Sequence, residues 1–281
     1  MFNFKEFERV GWNDRSTAEH YDRMFSAITT QAVSALLDAA QVSRGDTVLD
    51  VATGPGYVAG AARARGAQVS AIDFSKEKLA LARAHFSGVD FREGDAEALA
   101  FGDAIFDAVT CNYGVPHFSA PDRFFAEACR VLKPGGRLSF SVWDVPAQAR
   151  AFGVIYEAIA RHGSLDVGLP VGPNFFLFSD LDVSVRALDQ AGFVDCAAER
   201  FQQTWVAASA DDLFDTVSRG SVRAAATLRG QTQDALVRIK AAAYAELEKF
   251  RSGDTVRVPM GAIIASALKP GEMVRSKATT P

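Results

Sequence analysis

Between residues 47 and 143 the hydrophobic pattern keeps changing its period, and that change constrains the chain more than any other feature. "TVLDVA" reads as a strand, 57–66 as a helix closed by Gly66, "QVSAID" as a strand, and 75–87 as a helix opened by Ser75 as N-cap. "VDFREG" and "FDAVTCNY" follow as strands, then a helix over 121–132, the turn "KPGG" and the strand "RLSFSVW". Strands that alternate with helices pair in parallel, because each crossover helix returns the chain to the same end of the sheet. The expected fold class is therefore α/β, with helices on both faces of the sheet.

The flanks are less regular. Ahead of the alternation, Tyr21, Met24, Phe25, Ile28, Val33, Leu36 and Leu37 stand at helical spacing, so 17–40 predicts one or two helices within a preface over 1–45. After Trp143, 147–162 reads as helical. The stretch 163–179 ("GLPVGPNFFLFSD" at its centre) is apolar where a solvated linker would be polar, which predicts a cover over something. A helix over 180–191 ends at Gly192, a strand falls within 193–206, helices fill much of 210–250, and "TVRVPMGAIIASALKP" supplies a last strand over 255–267. With 48% hydrophobic residues in 281, the chain can bury one large core. We read 1–281 as a single domain, with 47–143 as its binding core and 144–192 and 207–252 as cover segments.

A net charge of -4, with no stripe of Lys and Arg interleaved with aromatics, argues against a nucleic-acid partner. Cys111, Cys129 and Cys196 are odd in number and far apart, which suits reduced thiols rather than a disulfide framework. "MFNFKEFERVGWNDR" lacks an apolar run of signal-peptide length, and "MGAIIASAL" is too short to span a bilayer. The expectation is a cytoplasmic protein without membrane insertion. Oligomeric state stays open, a homodimer being one option.

The turn after the first strand carries the chemistry. "GPGYVA" (Gly54, Gly56, Ala59) fits G-x-G-x-x-A, and Asp73 ends the next strand at the spacing of a ribose-binding acid. Gly54 and Gly56 remove β-carbons that would keep a ligand from the backbone, while a carboxylate at 73 can accept from both ribose hydroxyls. Asp50, just ahead of the glycines, would oppose the phosphates of a dinucleotide but would serve a ligand bearing an ammonium and a sulfonium. It can equally cap the amides of the turn. In "EGDAEALAF", Asp95 beside the small Ala96 can accept from an exocyclic adenine amine.

Taken in order, "VLDVATGPG", "AIDFS", "GDAEALAF", "FDAVTCNYGVPHF" and "VLKPGGRL" resemble the motifs of class I S-adenosylmethionine-dependent methyltransferases, in particular the small-molecule group of ubiquinone and menaquinone biosynthesis methyltransferases. The resemblance implies a Rossmann-like seven-stranded sheet of order 3-2-1-4-5-7-6 with strand 7 antiparallel, the last two strands falling at 193–206 and 255–267. It implies S-adenosyl-L-methionine as cofactor. The methionine part would lie near Asp50, Ala52, Gly54 and Gly56, the ribose on Asp73, the adenine against Phe74, Asp95 and Ala96, and the sulfonium beside Cys111 and Asn112. Tyr21 would close over the cofactor from the preface. Thr53 departs from the cysteine or glycine commoner at its position. Tyr21 and Phe74 can equally be packing aromatics.

For the transfer itself, holding the acceptor against the methyl supplies much of the rate, and a base is needed only where a proton must leave. His117, in the loop after the fourth strand, is the candidate base, with a structural role as its alternative. His20, His85 and His162 read as surface or capping residues, and no Asp, Glu and His set has metal-ligand spacing, so no metal is expected. Tyr113, Trp143, Phe175 and Phe176 predict an apolar or aromatic acceptor pocket, or else core. The expected activity is methyl transfer to a small organic acceptor. An NAD-dependent oxidoreductase and a non-catalytic S-adenosylmethionine-binding protein are the alternatives.

Overall fold

The computed structural model describes residues 3–271, so the preface drawn from residue 1 and the domain drawn to 281 extend past it at both ends. Five strands run parallel: β1 (Thr47–Val51), β2 (Gln68–Asp73), β3 (Asp90–Glu93), β4 (Phe106–Asn112) and β5 (Leu132–Trp143). The "KPGG" stretch expected as a turn opens β5 instead, with Gly135 taking the left-handed backbone that a side chain would resist. Further along are β6 (Val194–Phe201), β7 (Thr204–Ala207), β8 (Arg251–Ser252), β9 (Thr255–Pro259) and β10 (Ala262–Leu268). The main sheet has the order β3-β2-β1-β4-β5-β10-β6, with β10 antiparallel to both its neighbours. This is the expected seven-stranded arrangement, β10 standing in the place of strand 7.

The segments 193–206 and 255–267 each divide into two strands rather than one. Their first and last parts belong to the main sheet, and β7 and β9 form a second sheet of order β7-β9-β8. The two antiparallel ribbons leave the sheet together at 202–203 and 260–261, where the Met260 amide donates to the Gln203 carbonyl. β10 leaves the bend as a continuously buried run, Ala262 to Ala265, with no alternation to interrupt, so periodicity does not mark it.

Successive residues of a strand face opposite sides, and the core follows suit. Val48, Ala71 and Ala108 pack with the helices Val33–Ala39, Tyr57–Ala64 and Lys76–His85 on one face. Leu49, Ile72 and Val109 pack with Pro121–Val131 and Leu181–Gln190 on the other. A third cluster, including Phe25, Trp143, Phe152, Trp205, Phe214 and Val256, lies outside this sandwich and is the core of the cover.

The preface holds a helix that periodicity over 17–40 did not foresee, Phe4–Trp12, capped by the Asn3 side chain. From Arg15 to Ala39 the path is helical throughout, interrupted by a π-helical turn over Tyr21–Phe25. The stretch 163–179 is a loop apart from a short 3-10 turn, Leu177–Ser179.

Candidate active site

The carboxyl ends of β1, β2, β4 and β5 open into a cavity roofed by the preface, by the loop over 163–179 and by the start of the helix Arg223–Arg229. A second, adjoining cavity lies under the helix Phe4–Trp12 and shares Phe74, His117 and Phe118 with the first. Tyr21, Asp50, Ala52, Gly54, Asp73, Phe74, Asn112, Tyr113, His117, Trp143 and Phe175 line the first cavity; Asp95 and Ala96 line the second.

The two glycines of the turn differ. A β-carbon at Gly54 would meet only the Lys78 side chain, at 4.0 Å, so this backbone is open to the cavity. At Gly56 a β-carbon would come within 2.9 Å of the Phe91 ring and 3.0 Å of Ala82, and φ is +87°. Gly56 thus lets the helix Tyr57–Ala64 start close against its neighbours, and it does not line the cavity. Cys111 also lies below the surface, fully buried, its thiol pushed up by that burial. Phe176 turns away from the cavity and packs edge-on to Tyr156 and Phe175.

Asp50 is 1% exposed and accepts hydrogen bonds from the hydroxyls of Thr53 and Thr110. Burial pushes its carboxyl up to about 7 against the pull of those two bonds. Each oxygen of Asp73 accepts one backbone amide, Gly54 N at 2.8 Å and Ser75 N at 2.8 Å, which leaves a lone pair on each for a ligand hydroxyl. Asp95 is engaged on both sides, by Lys5 Nζ at 2.7 Å and by the Glu97 amide. Tyr21 stacks on Phe25 and meets Trp12 edge-on, its hydroxyl pushed up to about 12 by burial. Asn112 donates to the Thr29 carbonyl and accepts from Ser141, tying the preface to β4 and β5. Ala52 and Tyr113, next to the carboxyl ends of β1 and β4, both take positive φ, 54° and 55°. Strain of this kind gathers where a site over-determines the backbone.

Five residues of the site were not foreseen. Lys78 is buried in the cavity with its ammonium 3.5 Å from the centre of the Trp12 ring and 4.2 Å from that of Tyr21; burial lowers its pKa to about 8. Glu8, only 2% exposed, accepts from Trp12 Nε1 at 3.0 Å and lies 2.9 Å from His117 Nδ1. Trp12, Tyr156 and Arg223 complete the wall. Lys78 sits in a stretch that reads as polar helix, Arg223 opens an alanine-rich one, and the His117 partner of Glu8 and the ring partners of Lys78 lie far away in sequence, so spacing offered no signal. Among the described residues no group of His, Cys, Asp and Glu could hold a metal ion, and no helix is long and apolar enough to cross a membrane.

Residues 49–140, from β1 into β5, match the family model for a methyltransferase domain. A ubiquinone/menaquinone biosynthesis C-methyltransferase UbiE of Methylobacterium nodulans is 37% identical over 57% of this chain and 71% of its own length. A demethylmenaquinone methyltransferase of Clavibacter sepedonicus is 37% identical over 50% of this chain; the chain spans 56% of that relative's length. A solved protein of Bacillus halodurans C-125 superposes with a TM-score of 0.55 at 26% identity, covering 85% of this chain and 99% of that one.

Proposed function

This chain belongs to the class I S-adenosylmethionine-dependent methyltransferases that include the UbiE enzymes, and from that premise we propose that it transfers a methyl group from S-adenosyl-L-methionine to a small organic acceptor in the aromatic cavity. The carrying observation is the open backbone face of Gly54 between two buried acids, Asp50 and Asp73. A nucleoside with an adjacent ammonium and sulfonium suits that cradle; a pyrophosphate would meet like charge there.

In this reading Asp73 takes the ribose hydroxyls on its free lone pairs, and Phe74, Asp95 and Ala96 border the adenine. Asp50 faces the positive charges, with Ala52, Gly54 and Asn112 forming the rest of the methionine wall. Gly56 and Cys111 support that wall from below. When bound, the cofactor supplies an activated methyl group on a sulfonium. Tyr21, Tyr113, Trp143 and Phe175 exclude water and press the acceptor into line, which is where most of the rate arises. His117 accepts a proton at Nε2 when the acceptor must lose one. Its Nδ1 is held by Glu8, which as a carboxylate can only accept, so the proton resides on Nδ1.

Titration calorimetry tests the reading. S-adenosylhomocysteine should bind, NAD should bind at least about a hundredfold more weakly, and Asp73→Asn should weaken S-adenosylhomocysteine by about 1.5 to 3 kcal/mol, the scale of hydrogen bonds to a charged acceptor. Equal affinity for the two nucleotides would overturn it.

A further inference from the structure

The acids and the guanidinium of the main cavity come from different layers, while the buried ammonium of Lys78 sits on the sheet side, over the Trp12 and Tyr21 rings. Among the described residues the cavity's only lining acids, Asp50 and Asp73, stand on the sheet, where the reading above places the positive cofactor. From the cover comes Arg223, the first residue of the helix Arg223–Arg229. Its guanidinium spends one donor, on the Pro170 carbonyl at 3.3 Å, and lies 5.8 Å from the centre of the Phe4 ring. Among the described residues no carboxylate lies within ion-pairing distance of it. Three other half-buried arginines find counter-ions, Arg65 with Asp38, Arg130 with Glu127 and Asp103, and Arg150 with Glu157, whereas Arg137, away from the cavity, does not. A guanidinium has five N–H donors in a planar fork, and a half-buried one without an anion carries an unmet desolvation cost.

A second group points the same way. Tyr156 is half-buried and lines the cavity, and its hydroxyl makes no hydrogen bond to any described residue, which leaves it available to a ligand. Burial pushes that hydroxyl up to about 12, and Arg223 is near enough to oppose the push. Around the pair the wall is made of rings, those of Phe25, Tyr113, Trp143, Phe152 and Phe175. Tyr113 and Trp143 already stack on one another at 4.1 Å between centroids.

We infer that the acceptor is a ring-bearing organic anion, a carboxylate in its simplest form, whose charge is taken by the Arg223 fork with the Tyr156 hydroxyl beside it while its ring lies against the aromatic wall. The assignment rests on the cavity being the methyl-transfer site, and it adds the acceptor's charge. The acids of the sheet then face the cofactor and the guanidinium of the cover faces the acceptor, so the two reactants meet as opposite charges.

The test uses the protein saturated with S-adenosylhomocysteine and three acid–amide pairs as probes: benzoate and benzamide, 4-hydroxybenzoate and 4-hydroxybenzamide, 1-naphthoate and 1-naphthamide. Binding is read by calorimetry. At least one acid should bind about tenfold or more tightly than its amide, the scale of a charge-assisted pair. Arg223→Gln should erase that preference, and Arg223→Lys should keep part of it, with S-adenosylhomocysteine affinity and melting temperature near those of the parent. Equal binding within every pair, no binding of any acid, or a preference that survives in Arg223→Gln would overturn the inference. Failure of S-adenosylhomocysteine to bind the parent protein would instead remove the methyl-transfer reading beneath it.

Discussion

Glu8 belongs to a stretch, "KEFER", whose composition is that of a solvated helix face, yet it is nearly fully buried between Trp12 and His117. A carboxylate there fixes which imidazole nitrogen carries the proton, and nitrogen-correlated NMR reads that directly. His117 should be protonated on Nδ1 when neutral, should stay so in Glu8→Gln, whose amide oxygen still accepts, and should lose the preference in Glu8→Ala. A neutral His117 protonated on Nε2 in the parent protein would end its proposed role as base. If the role holds, His117→Ala should lower kcat roughly a hundredfold at saturating acceptor while S-adenosylhomocysteine affinity stays put. At this scale the sequence was only half legible. Gly54 and Gly56 are indistinguishable as letters in a motif; only packing against Phe91 and Ala82 separates the structural glycine from the open one. Lys78 is harder still, because "KEKLALAR" offers nothing to tell a lysine in water from one over two aromatic rings.

Among elements, the helix Phe4–Trp12 spans both cavities: Lys5 binds Asp95 and Glu97 at one end, and Ser75 donates to the Trp12 carbonyl at the other. Its buried stripe is Phe4, Glu8 and Trp12, one residue per turn with an acid at the centre, which is why apolar periodicity passed it over. Behind it, Asp22 in the π-helical turn accepts from the Tyr57 hydroxyl and lies 2.9 Å from His85 Nε2, clasping the preface to two core helices. His85, expected as a surface or capping residue, is part of that clasp. The main cavity holds about 100 Å³ and the adjoining one about 270 Å³, so together they reach the low end of the roughly 300 to 1,000 Å³ usual for a small-molecule site. The helix Phe4–Trp12 and the loop over 163–179 form the roof over them. Hydrogen exchange should find 4–12 and 163–179 the fastest of the cover segments in the free protein, both slowing when S-adenosylhomocysteine and a ring acid are present. Equal protection with and without ligand would assign them to the permanent core. The loop was legible as a cover from its apolar composition, and its two central rings divide the work: Phe175→Ala should weaken ring-acid binding, whereas Phe176→Ala, facing Tyr156, should chiefly lower the melting temperature.

For the whole molecule, the buried charges of the site set a pH dependence of stability. Asp50 is raised from 3.8 to about 7, so its contribution is fully present below about pH 4 and is lost as pH rises through 7. Lys78 is lowered from 10.5 to about 8, so its contribution is present above 10.5 and is lost as pH falls through 8. Between those values both groups stand charged and desolvated in the free protein. Asp50→Asn should then raise the melting temperature by about 3 °C or more at pH 8 and hardly at pH 5, while weakening S-adenosylhomocysteine. A larger gain at pH 5 would mean that burial does not dominate at Asp50. The sheet order was legible because β/α alternation leaves few ways to wind a parallel sheet, whereas the second sheet was not, since the apolar run of β10 continues from β9 with no break in pattern beyond Gly261. The place of β10 in that order also governs how the protein comes off the ribosome. It inserts between β5 and β6 after the 118 residues from 144 to 261, which at roughly 5 to 20 residues per second take some 6 to 24 seconds to synthesise. Throughout that interval the nascent chain exposes an unpaired β5 edge, so the cell must shelter a half-built sheet until β10, sixth of its seven strands in spatial order, has been made.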